Sequence, residues 1–144
     1  MDDDVNRLRV ALGRISRTVE REVTTDGLTR TTMSLLGTLA RHRTMGMGEL
    51  AEIEGLNPTM ASRLVGKLED AGLVRRVPHD DDRRAVVVEI TTEGTRTQNR
   101  LRRQRTTALS HWLDGLAPDE QDALLKAVPA LESLAAAMRG GPVG

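Results

Sequence analysis

The stretch from Asn57 to Ile90 leaves a chain like this few options. Asn57-Pro58 is a helix start: an asparagine oxygen can accept from the unpaired N–H groups of a first turn, and proline loses nothing at the first helical position. Gly72 is the matching stop, since the residue after a helix often takes a left-handed backbone that only glycine adopts freely. Two runs rich in β-branched residues follow at once, Leu73 to Val77 and Ala85 to Ile90, divided by the polar segment Pro78 to Arg84. That pattern predicts an antiparallel hairpin with a long, charged tip.

Helices surround this unit. Val5, Leu8, Leu12, Ile15 and Val19 recur at alternating steps of three and four, which gives one apolar seam on a helix over 5–23. Leu28 to Arg43 predicts a second helix, with Met33, Leu35, Leu36, Leu39 and Ala40 facing inward. Met45-Gly46-Met47-Gly48 breaks it, and Glu49 to Glu54 forms a short third helix ended by Gly55. Thr91-Thr92-Glu93 opens a fifth helix running towards Leu116. Pro118-Asp119-Glu120 opens a sixth, in which Leu124, Val128, Leu131, Ala135 and Met138 repeat the seam. Pro129 inside it should kink or split it.

Composition narrows the function. The 144 residues suffice for one domain with a helical core. A formal net charge of zero excludes a generally basic nucleic-acid coat, so any DNA-binding surface must be a local patch. All but two of the 21 basic residues are arginine, the exceptions being Lys67 and Lys126. Without cysteine there is no disulfide and no thiol chemistry; without Phe or Tyr the core must be aliphatic. No apolar run approaches a membrane span, and MDDDV at the start is no signal peptide, so a cytoplasmic location is expected. No Ser-His-Asp set, carboxylate dyad, glycine-rich phosphate loop or metal-ligand spacing is visible, so neither an enzyme nor a cofactor is expected. His79, Asp80, Asp81 and Asp82 are consecutive on a hairpin tip and would rarely converge on one ion.

Helix, short helix, capped helix and hairpin, in that order, make a winged helix-turn-helix: a mainly α fold with a small β-hairpin wing. On the helix from Pro58, Met60, Leu64 and Leu68 centre on one side, with Thr59, Ser62 and Gly66 near the opposite side and Arg63 at its edge. Arg63 could bridge guanine O6 and N7, Thr59 and Ser62 could reach bases or phosphates, and Lys67 is better placed for a phosphate. Asn57 and Pro58 open the same helix. An arginine at the hairpin tip would be drawn into the adjacent minor groove by its negative potential.

Taken together, Gly48-Glu49-Leu50-Ala51, Asn57-Pro58-Thr59-Met60-Ala61-Ser62-Arg63-Leu64-Val65, Leu68-Glu69-Asp70-Ala71-Gly72-Leu73-Val74-Arg75-Arg76 and the run Asp81-Asp82-Arg83-Arg84-Ala85-Val86-Val87-Val88 to Thr91-Thr92-Glu93-Gly94 resemble the MarR family (multiple antibiotic resistance regulators). The resemblance implies that Arg84 is the minor-groove arginine, Asp82 its brace and Arg83 a phosphate contact. It also implies one domain over 1–144: a DNA-binding lobe at 28–91, dimerisation helices at 1–24 and 92–139, and a flexible tail at 140–144. The expected activity is that of a transcription regulator, more often a repressor, binding an inverted repeat in double-stranded DNA as a homodimer. A small aromatic or anionic ligand between the lobes would modulate DNA affinity. Two departures stand out. Gly66 lies where members often carry a polar side chain, and Ala117 where the last helix usually has a serine-like cap.

Arg96, Arg100, Arg102, Arg103 and Arg105 form a run without an acid, of which Arg96, Arg100 and Arg103 share a helix face. They either face solvent, meet phosphates or line an anionic-ligand cleft. Met33, Met45 and Met47 are read as core filler rather than as a ligand box. Tying Arg63, Arg83 and Arg84 into intramolecular salt bridges would favour a protein-interaction module instead of a DNA binder.

Overall fold

Local hydrogen bonds form most of the boundaries that the sequence marks. In the computed structural model, Asn57 Oδ1 accepts from the Met60 N–H at 2.8 Å and opens a helix at Pro58. At its end Gly72, with φ +76°, lets its own N–H reach the Glu69 carbonyl (2.9 Å) and the Leu73 N–H reach the Leu68 carbonyl (3.0 Å). The structure describes residues 1–23, 27–79 and 82–139, with the backbone alone at 79 and 82–85.

The elements run α1 (Asp2–Arg21), α2 (Arg30–His42), β1 (Thr44–Gly46), α3 (Met47–Ile53), α4 (Pro58–Asp70), β2 (Val74–His79), β3 (Asp82–Ile90), α5 (Thr92–Asp114) and α6 (Pro118–Arg139). The expected mainly helical fold with a hairpin wing is therefore present. The three strands form one antiparallel sheet in the order β1-β3-β2. The chain forms two compact units, Met1–Arg105 and Thr106–Gly144. Among the described residues no helix is long and apolar enough to cross a membrane. The tail at 140–144 lies outside the described residues.

In the first unit the core is aliphatic, as the lack of Phe and Tyr requires. Leu35, Leu36 and Leu39 of α2, Leu50 of α3, Val65 and Leu68 of α4 and Val88 of β3 are all fully buried in one cluster. A smaller cluster of Val23, Met33 and Leu101 joins the end of α1 to α2 and α5. Beside it Arg105 Nε donates to Glu20 Oε1 at 2.8 Å, both side chains about three-quarters buried. The rest of α1 contributes nothing to either core. Val5, Leu8, Leu12 and Ile15 form the expected seam, yet each is 39–59% exposed in the single chain.

In the second unit no residue of α6 is buried, and Leu125, Leu134 and Met138 are exposed. Trp112, on the last turns of α5, is 56% exposed with its ring edge-on to His111.

Several sequence expectations need correction. Residues 44–46 are not a plain break but β1, whose Met45 is buried opposite Val88. Arg43, at φ +63°, turns the chain into it, and the Arg43 carbonyl accepts from the Ile90 N–H at 3.0 Å. A three-residue strand shows no periodicity of its own, and its partner lies far along the chain. Helix α3 consequently starts at Met47, α1 begins at Asp2, and α2 begins at Arg30, where Thr29 caps it. The hairpin strands reach further towards the tip, with His79 opposite Asp82 and a register shift after Pro78, which has no N–H for a ladder. Pro129 does not split α6, which is helical throughout Pro118–Arg139. At Ala117 the missing hydroxyl is offset by Glu120, whose Oε2 accepts from the Ala117 N–H at 3.2 Å.

Candidate nucleic-acid interface

The turn between α3 and α4 is built by Gly55 and Glu54. Gly55 has φ +65°, and the Leu56 N–H closes back on the Ala51 carbonyl at 2.9 Å. Glu54 accepts from Thr38 Oγ1 at 2.5 Å and Ser34 Oγ at 2.8 Å, which pins the end of α3 onto α2. With α3 fixed, the cap at Asn57 sets the direction in which α4 leaves.

Helix α4 is turned somewhat from the orientation that periodicity suggested. Its buried residues are Ala61, Leu64, Val65 and Leu68; Met60 is only half-buried and is not at the centre of the inner face. Instead Met60 Sδ receives Arg63 Nη2 at 3.0 Å. Arg63, expected at the edge, and Lys67 are exposed, together with Asn57, Pro58 and Thr59. Among the described residues no carboxylate pairs with Arg63 or Lys67. The first turn of α4 carries no acid, so its N-terminal partial charge is not opposed there.

Ser62 and Gly66 are half-buried, and what covers them is Arg76 from β2. Arg76 Nη2 donates to the Ser62 carbonyl at 2.6 Å and lies 3.4 Å from Ser62 Oγ. A Cβ built on Gly66 would stand 3.7 Å from the same nitrogen. The Arg76 N–H also donates to Glu69 Oε2 at 3.1 Å, which fixes the strand against the end of α4. Its neighbour Arg75 instead pairs across the sheet with Glu89 at 2.8 Å. Sequence reasoning missed Arg76; the one available signal was a glycine in the middle of a helix, which costs stability and so marks a close approach.

The wing residues Asp82, Arg83 and Arg84 lie on β3 by their backbone, and their side chains are outside the described residues. Below the wing, Thr91 locks α5 to the end of α4. Its Oγ1 donates to the Gly72 carbonyl at 2.7 Å and accepts from the Gly94 N–H at 3.0 Å, while its own N–H donates to the Leu73 carbonyl at 3.0 Å.

Within the arginine run on α5, Arg105 lies off the face assigned to Arg96, Arg100 and Arg103. Arg96 pairs with Glu93 at 3.6 Å, whereas Arg105 turns inward to Glu20. Arg105 lines a cavity of about 370 Å³ with Arg30 and Arg41 of α2, which sequence reasoning did not single out, and with Met33 and Gln98. Among the described residues Gln98 Oε1 is buried without a hydrogen-bond partner.

Comparison with known proteins bears on this arrangement. Residues 28–86 match the model of the MarR family. The chain is 32% identical to an uncharacterised HTH-type transcriptional regulator of Mycobacterium bovis, Mb0904, over 127 residues, which cover 88% of this chain and 89% of that protein. Its fold is similar to that of the transcriptional regulator Tm0710 of Thermotoga maritima, with a TM-score of 0.79 at 19% identity over 99% of this chain and 100% of the other. It is also similar in fold to BpsR of Bordetella bronchiseptica, whose DNA binding is regulated by 6-hydroxynicotinic acid, with a TM-score of 0.62 at 17% identity over 90% of this chain and 98% of that one. The relatedness spans the helix-turn-helix and most of the helices on either side of it, and the chain accordingly belongs to the MarR family of helix-turn-helix transcriptional regulators, which are not enzymes.

Proposed function

We propose that the chain represses transcription as a homodimer, each copy presenting α4 to one major groove of an inverted repeat with half-sites about 10 bp apart. The observation that carries this is the outward row Thr59, Arg63 and Lys67, whose two cations pair with no carboxylate among the described residues. A protein-interaction module would be favoured by the opposite, arginines consumed within the chain. Asp82, Arg83 and Arg84 are assigned to the wing contact, Arg84 in the minor groove with Asp82 bracing it and Arg83 on a phosphate. The lobes at 28–91, 1–24 and 92–139 then serve DNA binding and dimerisation.

Selection of bound duplexes from random DNA tests the proposal. It should return a palindromic consensus, and its absence at low salt would refute sequence-specific binding. Against that consensus, Arg63→Ala should cost about 1–3 kcal/mol and relax the preference at one position per half-site. Lys67→Ala should weaken all sequences alike and lower the salt slope by about one. Arg84→Ala should weaken binding without changing the melting temperature. A uniform loss in both α4 variants would mean that α4 is turned differently on DNA.

Ligand control is assigned to the cavity of Arg30, Arg41 and Arg105. Three guanidiniums against one carboxylate, Glu20, favour an anion. Regulation of BpsR by 6-hydroxynicotinic acid is a precedent for such chemistry on this fold. Salicylate should bind by calorimetry, bind more weakly to Arg30→Ala, and weaken DNA binding over the same concentration range, because the two affinities are reciprocally linked. Binding with unchanged DNA affinity would remove the cavity from the regulation.

A further inference from the structure

Gly66 leaves a gap in the outward face of the helix assigned to the major groove, and a side chain from another element fills it. Arg76 crosses from β2 and stands within 3.7 Å of where a Cβ at position 66 would be. Its Nη2 is held by the Ser62 carbonyl at 2.6 Å, with Ser62 Oγ at 3.4 Å. Its backbone is held as well, by Glu69 and by the pairing of Arg76 with Val88 in the sheet. The side chain is nevertheless exposed. An arginine has five N–H donors in a planar fork, and only Nη2 is engaged with Ser62. A guanidinium already fixed in place loses less side-chain freedom on binding than one projecting freely from a helix.

We propose that Arg76 is a specificity-determining residue: it takes the place of the side chain that Gly66 lacks and donates its remaining N–H groups to a base edge, a guanine by the usual arginine geometry. The inference rests on the DNA-binding reading above. A mid-helix glycine keeps the gap open, and a strand rather than the helix supplies the long donor. The recognition surface is thus shared by two elements that Ser62 and Glu69 lock together.

The test uses the duplex consensus selected by the unaltered protein and its single-base variants. Arg76→Ala should lower affinity for the consensus about 10- to 100-fold and erase the preference at one position per half-site, a different position from the one relaxed by Arg63→Ala. Gly66→Leu should erase the same preference, because its branched side chain occupies the space of the guanidinium. Gly66→Ala should largely keep it, its Cβ being in ordinary contact only. Leucine and alanine are both better helix formers than glycine, so neither Gly66 variant should fail to fold. Retention of every base preference by Arg76→Ala or by Gly66→Leu would overturn the proposal, as would an equal loss on all sequences, which is the signature of a phosphate contact. If the unaltered protein selects no consensus, the DNA-binding reading itself fails and this inference falls with it; a consensus that ignores Arg76 removes the inference alone.

Discussion

Gly94→Ala is expected to destabilise the protein by about 3 kcal/mol, although the same change in an ordinary helix is favourable by about 1 kcal/mol. Gly94 is buried in the first turn of α5, where the helix packs on the Leu73 backbone and on Ile90. A Cβ there would collide with the Leu73 carbonyl oxygen and lie 2.7 Å from Ile90 Cγ1 and 3.0 Å from the Leu73 carbonyl carbon. Backbone cannot rotate out of the way as a long side chain can. Relief therefore requires α5 to lift, and lifting stretches the two hydrogen bonds that Thr91 makes to the Gly72 and Leu73 carbonyls. Gly66→Ala is the internal control. It adds the same methyl group to a helix whose nearest foreign atom is 3.7 Å away, so it should gain about 0.5–1 kcal/mol. Denaturant midpoints at fixed protein concentration separate the two. Equal stability of Gly94→Ala and the unaltered protein would show that the packing of α5 on Leu73 and Ile90 is slack.

The same residues show what sequence can and cannot tell. Asn57, Gly55 and Gly72 were legible because a cap is a local event, completed by hydrogen bonds within four or five residues. The hairpin was legible for a related reason: its strands are close in sequence and strongly β-branched. Strand β1 was not, since its stability comes from β3 and from burying Met45, neither of which leaves a mark on three residues. The rotation of α4 was misjudged because Met60 counts as apolar in any periodicity, whereas small Ala61 and Val65 actually face the core. Arg76 and the cavity arginines share one difficulty. Charge says that a residue seeks a partner but not which one, and the partners of Arg76 and Arg105 are 14 and 85 positions away. Gly94 stood within the family motif, yet the carbonyl that requires it belongs to Leu73, in the turn between α4 and β2.

Leu8→Glu combined with Leu12→Glu should convert the protein to a monomer and lower its affinity for a two-half-site operator by about 10²–10⁴-fold. No residue of α1 is buried in the single chain, yet Val5, Leu8, Leu12 and Ile15 form a continuous apolar stripe along it. Water-exposed stripes of this kind are uncommon on monomers, and a second copy related by a two-fold axis is the simplest cover. Burying one leucine contributes about 1.5–3 kcal/mol, and a two-fold interface loses each substituted leucine twice. Two substitutions therefore remove roughly 6 kcal/mol or more, over four decades in the dimer constant, before the repulsion of the new carboxylates is counted. The lobe that carries α4 should stay folded, because its core comes from α2, α3, α4 and the sheet, and Val23 and Glu20 still hold the end of α1. Circular dichroism checks the fold, and sedimentation should report 15.8 kDa rather than twice that mass. What falls in DNA binding is then the linkage of two heads, not either head alone: a single half-site should bind the variant and the unaltered protein about equally. Sedimentation of the variant as a dimer would exclude α1 from the interface. The substitution to try next would be Leu125→Glu on α6, a helix that likewise buries none of its own residues.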